Sequence, residues 1–370
     1  HPGPDRIRYS KRLYSLFVIR LARVVAGLAV LLLSAHAWAG DSLLFQPVGS
    51  NRGLNVKMPV DLLVDRRGFL WVGAREGLFR YDGYAATLFE PNIDDPYAIT
   101  DLDIRALYED RDGIIWVATN TGGLNRLDPE TGLFTHYRAG ANASKDITHD
   151  SVYGMTEGLD GDLWFGTQIW LNRLDRESGE MTHYLHDPAD PDSLSGNYVY
   201  AVYRDRSDVV WVATIGGGLS RYNTVDDSFT KFDLSAMSGR DNFENDVFAI
   251  AEDNAGTLWI GTRSGLLRLD SNRVGLQAID LAQSGTAQPV ITTMVLAPDG
   301  SLWLGTIING LIHYDPEADD WIAYTDYSPT EPGGLASQPQ LSIELVDDLL
   351  FVGTWGAGLW AARIPEADFS

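Results

Sequence analysis

Gly68-Phe69-Leu70-Trp71-Val72-Gly73-Ala74, followed two residues later by Gly77-Leu78-Phe79-Arg80-Tyr81-Asp82, is the first copy of a pattern that decides the fold. Six further copies follow it, each with an aromatic residue at the place of Trp71. These aromatic positions are Trp71, Trp116, Trp164, Trp211, Trp259, Trp303 and Phe351. They are separated by 45, 48, 47, 48, 44 and 48 residues, and a period of this length is typical of a propeller blade or a solenoid unit.

The content of one unit decides between these two architectures. In the second copy, residues 104–108 alternate apolar and polar side chains, and residues 114–118 are rich in β-branched and aromatic ones. Strand-like segments follow at 124–127 and 133–137, with polar turns between them and no helical periodicity. Four short strands repeated seven times predict an all-β fold, a seven-bladed β-propeller of four-stranded antiparallel blades.

The two ends of the repeat region are complementary. Residues 43–47 look like a lone strand before the first unit, and the seventh unit stops at Arg363 with few residues behind it. We therefore expect the N-terminal strand to complete the last blade, which would close the ring and leave no open sheet edge.

The N-terminus has the features of an export signal. Six basic residues precede the apolar run 24–33, and Ala37-Trp38-Ala39 follows as a small-x-small site. We expect residues 1–39 to be a secretory signal peptide, with an uncleaved signal anchor as the alternative. Residues 40–370 would then form the propeller domain, outside the cytoplasm and most simply in the periplasm.

Composition and motifs exclude several classes of function. The formal net charge is −23, which repels phosphate backbones and argues against a nucleic-acid partner. The turn Asp110-Arg111-Asp112-Gly113 begins like a calcium loop, but Thr121 stands where the twelfth-position Glu would be needed. Nucleophile motifs and phosphate-binding glycine loops are also missing from the sequence. We predict no catalytic residue, no metal site and no cofactor in this chain.

The recurring residues have a structural interpretation. The aromatic residue of each unit can fill the wedge between neighbouring blades, and the small residue that follows allows the sheets to approach closely. Aspartates at the turns, such as Asp110, can accept hydrogen bonds from local backbone amides.

Residues that vary between units are better candidates for ligand binding. Long inter-blade connections and the loops between second and third strands would open on one face of the ring, which we predict to be the ligand face. Trp170 and Trp355 stand where other units have small or polar residues, and could stack on a sugar or another amphipathic ligand, or simply plug the channel. The predicted ligand-binding residues are Arg75, Asn120, Gln168, Trp170, Arg263, Asn309 and Trp355.

The unit at residues 64–84 resembles the two-component regulator propeller repeat, and the resemblance extends from residue 43 to about residue 363. This family forms the periplasmic sensor region of hybrid two-component histidine kinases and of some membrane-bound diguanylate cyclases. The resemblance implies that the chain is a fragment of a protein that continues into a Tyr-rich β-sandwich module, a membrane helix and a cytoplasmic catalytic domain. It also implies a small-molecule or oligosaccharide ligand.

These observations lead to one expected function and two alternatives. We expect a non-catalytic, periplasmic sensor propeller of a membrane-anchored signalling protein, with a homodimer as a further expectation. The first alternative is a polysaccharide lyase or hydrolase, for which the inner loops offer only Arg75 and Arg263 among the needed His, Arg and Tyr side chains. The second is a scaffold that binds a protein partner.

Overall fold

The computed structural model of the protein describes residues 43–49, 52–234, 245–282, 287–324 and 339–364. The predicted signal segment, residues 1–39, lies outside these ranges. Within them the chain forms seven antiparallel sheets of four strands each. This confirms the predicted seven-bladed, all-β propeller.

Each of the first six blades uses four consecutive strands, and the seventh takes one strand from the N-terminus. Blades 1 to 3 contain β2 (Pro59–Val64), β3 (Leu70–Ala74), β4 (Gly77–Tyr81), β5 (Ala86–Phe89), β6 (Ile104–Glu109), β7 (Ile115–Thr119), β8 (Leu124–Asp128), β9 (Leu133–Tyr137), β10 (Val152–Glu157), β11 (Leu163–Thr167), β12 (Leu171–Leu174) and β13 (Met181–Tyr184). Blades 4 and 5 contain β14 (Val199–Arg204), β15 (Val210–Thr214), β16 (Gly218–Asn223), β17 (Ser228–Phe232), β18 (Val247–Glu252), β19 (Leu258–Thr262), β20 (Gly265–Leu269) and β21 (Leu276–Ala278). Blades 6 and 7 contain β22 (Ile291–Leu296), β23 (Leu302–Thr306), β24 (Leu311–Asp315), β25 (Asp320–Tyr324), β26 (Gln340–Val346), β27 (Leu349–Thr354), β28 (Gly358–Arg363) and β1 (Gln46–Pro47).

The first strand of each blade is the inner one, because it contacts the first strands of both neighbouring blades. These contacts continue round the ring, and β26 of the last blade meets β2 of the first. The inner strands therefore surround a central channel. The strands predicted for the second unit agree with β6 to β9 to within one residue at each end.

The N-terminal strand completes the seventh blade, as predicted. β1 pairs antiparallel with β28, with Gln46 opposite Ala361 and Pro47 opposite Trp360. The pairing is shorter than the predicted strand 43–47, but Leu43 and Phe45 are buried in the core between blades 6 and 7. The latch therefore combines a short ladder with apolar packing.

The repeat aromatics lie between blades, as the sequence predicted. Every one of the seven is at most 2% exposed, and each packs against the core of the next blade. Trp71 contacts the cluster around Ile104 and Val117 of blade 2, and Phe351 of blade 7 contacts the cluster around Val72 of blade 1. Gly73 shows why a small residue follows: a Cβ there would lie 2.7 Å from Cγ2 of Ile104 in the next blade.

The turn aspartates have a second role that the sequence analysis missed. Asp65 accepts hydrogen bonds from the backbone amides of Arg67 and Phe69 through Oδ1, and its Oδ2 accepts one from Trp71 Nε1 at 2.9 Å. The same aspartate-to-indole bond, across six residues, recurs in blades 2, 4 and 5. In blade 6 the equivalent residue is Ala297, and within the described structure Trp303 Nε1 has no partner. In blades 1, 2, 4 and 5 one carboxylate therefore binds both the turn amides and the buried tryptophan.

In blades 1 to 5 an arginine stands opposite the tryptophan on the neighbouring strand. Arg80 pairs in register with Trp71, Arg173 with Trp164 and Arg268 with Trp259. Their guanidinium carbons lie 5.8, 5.2 and 5.8 Å from the ring centroids, which is within cation–π range. In blade 6 His313 takes this place and stacks on Trp303 at 4.3 Å.

Replacing Asp253 by Ala tests the aspartate-to-indole bond. We expect the free energy of unfolding to fall by about 2 kcal/mol, because the buried Trp259 Nε1 loses its acceptor and keeps its desolvation cost. Asp94→Ala, at an exposed loop position, is the control and should change stability little. Chemical denaturation of both variants measures the difference, and equal midpoints would contradict the assigned role.

Replacing Phe45 by Ala tests the latch. Phe45 is 3% exposed, whereas its neighbour Leu44 is 48% exposed, so Leu44→Ala is a matched control in the same segment. We expect Phe45→Ala to cost about 3 kcal/mol or more, as for other buried phenylalanines, and Leu44→Ala to cost little. If thermal unfolding gives the same Tm for the two variants, the N-terminal segment does not hold the ring closed.

Candidate functional site

The predicted ligand face lies at the channel end where the inner strands begin. The residue that opens each loop between second and third strands donates its backbone amide to the carbonyl just before an inner strand. Arg75 donates to Met58, Asn120 to Asp103 and Trp355 to Pro339, at 2.9 to 3.2 Å. These loops therefore surround the mouth of the channel. Parts of two long connections, residues 235–244 and 325–338, lie outside the described residues.

The structure brings some of the predicted site residues together. The guanidinium carbon of Arg75 lies 5.4 Å from the ring centroid of Trp355 in the neighbouring blade, and Trp355 is 45% exposed. Arg263 Nε lies 2.5 Å from Asp246 Oδ2, with its guanidinium over the ring of Phe248. The Arg75–Trp355 pair and Arg263 thus form two separate polar-aromatic groups on this face.

The remaining predicted residues do not join these groups. Trp170 lies against His183 of the outer strand β13, with 6.3 Å between the ring centroids, so it covers the outer half of its blade. Asn120 accepts a weak hydrogen bond from Ser151 at 3.4 Å, Gln168 is exposed, and the backbone amide of Asn309 donates to Thr306. The seven residues are distributed round the mouth.

Sequence reasoning missed an arc of aromatic residues on the channel wall. Each inner strand has a register shift after its first residue, and a bulge of this kind re-aims the unpaired side chain. At this second position stand Arg105, Tyr153, Tyr200 and Phe248 in four successive blades. The recurrence of aromatic residues at one strand position is a signal that could have identified them.

We call Arg105, Tyr153, Tyr198, Tyr200 and Phe248 the channel arc. The ring of Tyr153 lies 5.1 Å from that of Tyr198 and 5.6 Å from that of Tyr200, and Tyr200 lies 5.3 Å from Phe248. The Arg105 guanidinium carbon lies 5.9 Å from the Tyr153 ring centroid. The five side chains form one continuous surface that is partly open to the channel.

Hydrogen bonds and charges connect the arc to its surroundings. The Tyr198 hydroxyl donates to the Tyr153 hydroxyl at 2.6 Å, and Ser151 Oγ lies 3.3 Å from the same oxygen. Arg105 is ion-paired with Asp103 at 3.5 Å. Enclosure by protein raises the pKa of Tyr198 and of Tyr200, so both phenols are neutral and available as hydrogen-bonding groups.

Two carboxyl groups occupy inner strands of adjacent blades. Asp61 of β2 accepts hydrogen bonds from the backbone amides of Leu107, at 2.7 Å, and Leu62, at 2.9 Å. Enclosure nevertheless raises the pKa of Asp61 to about 7. Burial also raises the pKa of Glu344 on β26 to about 8, and the charge of Asp61 adds to this effect. The two groups therefore change protonation near neutral pH.

A cavity of about 370 Å³ lies between blades 2 and 3 on the opposite face. The arginines and carboxylates in and around it are mostly paired with one another: Arg176 binds Asp110 at 2.5 Å and Glu157 at 2.8 Å, and Arg173 binds Asp162 at 2.6 Å. The Arg176–Asp110 pair joins blades 2 and 3, whereas the other two pairs lie within blade 3.

Within the described ranges, no group of three or more His, Cys, Asp or Glu side chains is arranged to hold a metal ion. In the same part of the chain, no helix has the length and apolar character needed to cross a bilayer.

The comparison with protein families identifies the repeats. The family model described as two component regulator propeller matches residues 98–121, 193–216 and 243–264. Three of the seven blades are therefore similar to two-component regulator propeller repeats. Each matched segment contains the inner and second strands of one blade, namely of blades 2, 4 and 5. The resemblance seen in the first unit is thereby confirmed in three other units.

Solved structures with similar folds belong to proteins of different kinds. The extracellular domain of a hybrid two-component system from B. thetaiotaomicron is 24% identical, with a TM-score of 0.73. The match covers 86% of this chain and 42% of that one. The extracellular domain of a one-component system from the same organism is 22% identical, with a TM-score of 0.68. This second match covers 88% of the present chain and 42% of the other chain. The present chain therefore spans less than half of these larger domains.

An enzyme is also among the similar structures. Catalytically inactive virginiamycin B lyase from Staphylococcus aureus is 15% identical, with a TM-score of 0.66, over 87% of this chain and 100% of that one. At these identities the likeness establishes the propeller fold only. The comparison with curated proteins finds no match.

Glu344→Gln tests the titration of the inner-strand carboxyl groups. The folded protein binds these protons more tightly than the unfolded chain, so their stabilising contribution is full below the ordinary carboxyl pKa and is lost as pH rises through about 7 to 8. We expect the Tm of the wild type to fall between pH 5 and pH 9, and the Tm of Glu344→Gln to fall less. At pH 9 the variant should be the more stable protein by a few kcal/mol, which is the order of free energy that corresponds to the raised pKa of Glu344. Glu130→Gln, at an exposed position, is the control and should follow the wild type. Parallel pH profiles for Glu344→Gln and wild type would contradict the assignment.

Proposed function

We propose that this chain is the exported, ligand-sensing propeller of a transmembrane signalling protein, with no catalytic activity of its own. The observation that carries the proposal is the match of three blades to the two-component regulator propeller repeat. The fold likeness to extracellular domains of two-component and one-component systems supports it. The output domain, a histidine kinase or a diguanylate cyclase, would lie elsewhere in the parent protein.

The architecture supports a role in binding. The seven buried aromatic side chains between the blades hold the blades together in a ring. The loops at the channel mouth differ from blade to blade and carry exposed groups such as Trp355. Variable loops on a rigid scaffold are a common site of recognition. A ligand there can drive signalling only if it binds two states of the protein with different affinity, and contact with a second copy of the chain is the simplest source of two states.

The enzyme alternative gains one observation from the structure. A lyase or hydrolase would need a cluster of polar and titratable side chains at the channel mouth, and the inner loops alone did not provide it. The inner strands bring Arg105, Tyr153 and Tyr200 to that place, so a reaction at the channel is a second candidate.

One screen separates the candidates. The purified chain is heated with a library of small metabolites and oligosaccharides, and each compound is recovered and analysed by mass spectrometry. For a sensor we expect the Tm to rise by several degrees with one class of compound that is recovered intact. Conversion of the compound would identify an enzyme, and the absence of any response would contradict ligand sensing.

Export is tested separately. Residues 1–49 are fused to a phosphatase that is active only outside the cytoplasm, and the same fusion with Arg6, Arg8, Lys11 and Arg12 replaced by Glu is the control. Phosphatase activity of the first fusion alone is expected, because the basic region orients a signal segment. An inactive first fusion would contradict the periplasmic location.

A further inference from the structure

We propose that the cavity between blades 2 and 3 is a binding site for a small zwitterion, namely a free amino acid or a molecule with the same pairing of a carboxylate and an ammonium group. The cavity is lined by the turns on the face opposite the loops at the channel mouth. The inference therefore goes beyond the proposed sensor function and does not depend on it.

The cavity contains a cation that the fold does not neutralise. Arg126 stands opposite Trp116 on the neighbouring strand and lines the cavity as a half-buried residue. Among the described residues, its guanidinium has no hydrogen bond and no carboxylate within ion-pair distance. A half-buried charge has lost part of its hydration and gains from a partner of opposite sign. A ligand with a negative group can supply that partner.

Blade 3 shows how the fold neutralises such an arginine elsewhere. There Arg173 stands opposite Trp164 and binds Asp160 at 2.5 Å and Asp162 at 2.6 Å. These two carboxylates lie four and two residues before the tryptophan. The turn of the same blade therefore supplies the partners of its arginine.

In blade 2 both of these partners are lost. Ile114 stands two residues before the tryptophan, where blade 3 has a carboxylate. Asp112, four residues before it, lies 3.2 Å from Arg176 of blade 3 instead. Arg126 is therefore left unpaired by two specific differences in the turn of its own blade.

A phenol lies beside this arginine. Burial raises the pKa of Tyr137, and the charges of Arg126 and Arg176 partly offset that effect, so both guanidinium groups lie near its hydroxyl. The hydroxyl is neutral and makes no hydrogen bond within the described structure. Arg176 is already occupied by Asp110 and Glu157. A carboxylate on the cavity floor can accept hydrogen bonds from Arg126 and from the Tyr137 hydroxyl together.

The rest of the cavity lining is negative and suits an ammonium group. The lining holds three arginines and four carboxylates, namely Arg111, Arg126, Arg176, Asp112, Asp160, Asp162 and Glu177. Arg111 and Arg176 are both ion-paired with Glu157, which lies outside the lining. Glu177 is exposed at the rim, and its carboxylate has no partner in the part of the chain that the structure describes. A ligand's ammonium group can donate to these rim carboxylates.

The titration of Asp162 reports the same negative field. Burial raises the pKa of this carboxyl although it is bonded to Arg173, and the charges of Asp160 and Asp175 add to the rise. Crowded carboxylates of this kind favour a nearby positive charge.

These charges exclude simpler ligands. A free anion would satisfy Arg126 but would also face four carboxylates on a chain with a formal charge of −23. A free cation would pair with the rim and leave Arg126 without a partner. A zwitterion satisfies both groups. The volume of about 370 Å³ lies at the small end of the range for ligand pockets, roughly 300 to 1,000 Å³, which suits a molecule of this size.

Calorimetric titration of the chain with the common free L-amino acids tests the proposal, and we expect at least one of them to bind. Its N-acetyl derivative lacks the positive charge, and its amide lacks the negative one. Each derivative should bind at least about tenfold more weakly than the parent, or by about 1.4 kcal/mol. Acetate and ethylamine, which carry one charge each, should not bind.

Arg126→Gln removes the unpaired cation. Because the Arg126 side chain makes no hydrogen bond or ion pair among the described residues, the variant should fold like the wild type and bind the amino acid about tenfold more weakly. Tyr137→Phe keeps the ring beside Trp116 and removes only the hydroxyl, so it should weaken binding several-fold. Arg221→Gln is the matched control, because Arg221 stands opposite Trp211 in blade 4, away from the cavity. Its affinity should equal that of the wild type.

The proposal is overturned if no free amino acid binds, if either derivative binds as tightly as its parent, or if Arg126→Gln binds as tightly as Arg221→Gln. The sensor function is judged separately by the metabolite screen. An intact ligand from that screen that Arg126→Gln binds as tightly as the wild type would support sensing at another site and would not rescue the amino-acid site.

Discussion

The ring depends on one repeated contact, the packing of an aromatic side chain from each blade against the core of the next. A single four-stranded blade has two faces and too little apolar surface to bury them alone, so it is stable only between neighbours. Each tryptophan fills the widening gap between two twisted sheets, and truncating a side chain of this size in a core typically costs about 3 kcal/mol or more. Every blade therefore needs a neighbour on each side to bury its two faces, and the ring is most stable when it is closed.

The same contact organises the polar groups around it. The indole N–H needs an acceptor when it is buried, and in four blades the turn aspartate supplies one while it also binds the turn amides. In blades 1, 3 and 5 the cross-strand arginine also lies within cation–π distance of the indole. In blades 1 and 5 the turn aspartate and the cross-strand arginine therefore contact the same tryptophan. Where Ala297 stands in place of the aspartate, the indole N–H of Trp303 has no hydrogen-bond partner among the described residues.

A rigid hub leaves two regions where side chains can vary, namely the loops at the channel mouth and the channel wall. The inner strands differ from blade to blade: blades 2 to 5 contribute the channel arc, whereas blades 1 and 7 carry the enclosed carboxyl groups of Asp61 and Glu344. The two groups are connected, because the charge of Asp61 acts on Tyr200 of the arc. In a sensor, this difference between blades is what allows a symmetric scaffold to recognise an asymmetric ligand.

The sequence by itself determined the number of blades, the strands within each, the buried aromatics and the N-terminal latch. These features depend on local patterns with a fixed period, which one-dimensional reasoning can detect. Only the tertiary structure decided which side chains face the channel, because the bulge after the first residue of each inner strand changes where the second side chain points. It also decided that Asp61 acts on Glu344, and that Arg75 meets Trp355 while Trp170 turns to the outer strand. Such pairs are distant in sequence and meet only because the ring closes, so no pattern within a single repeat contains them.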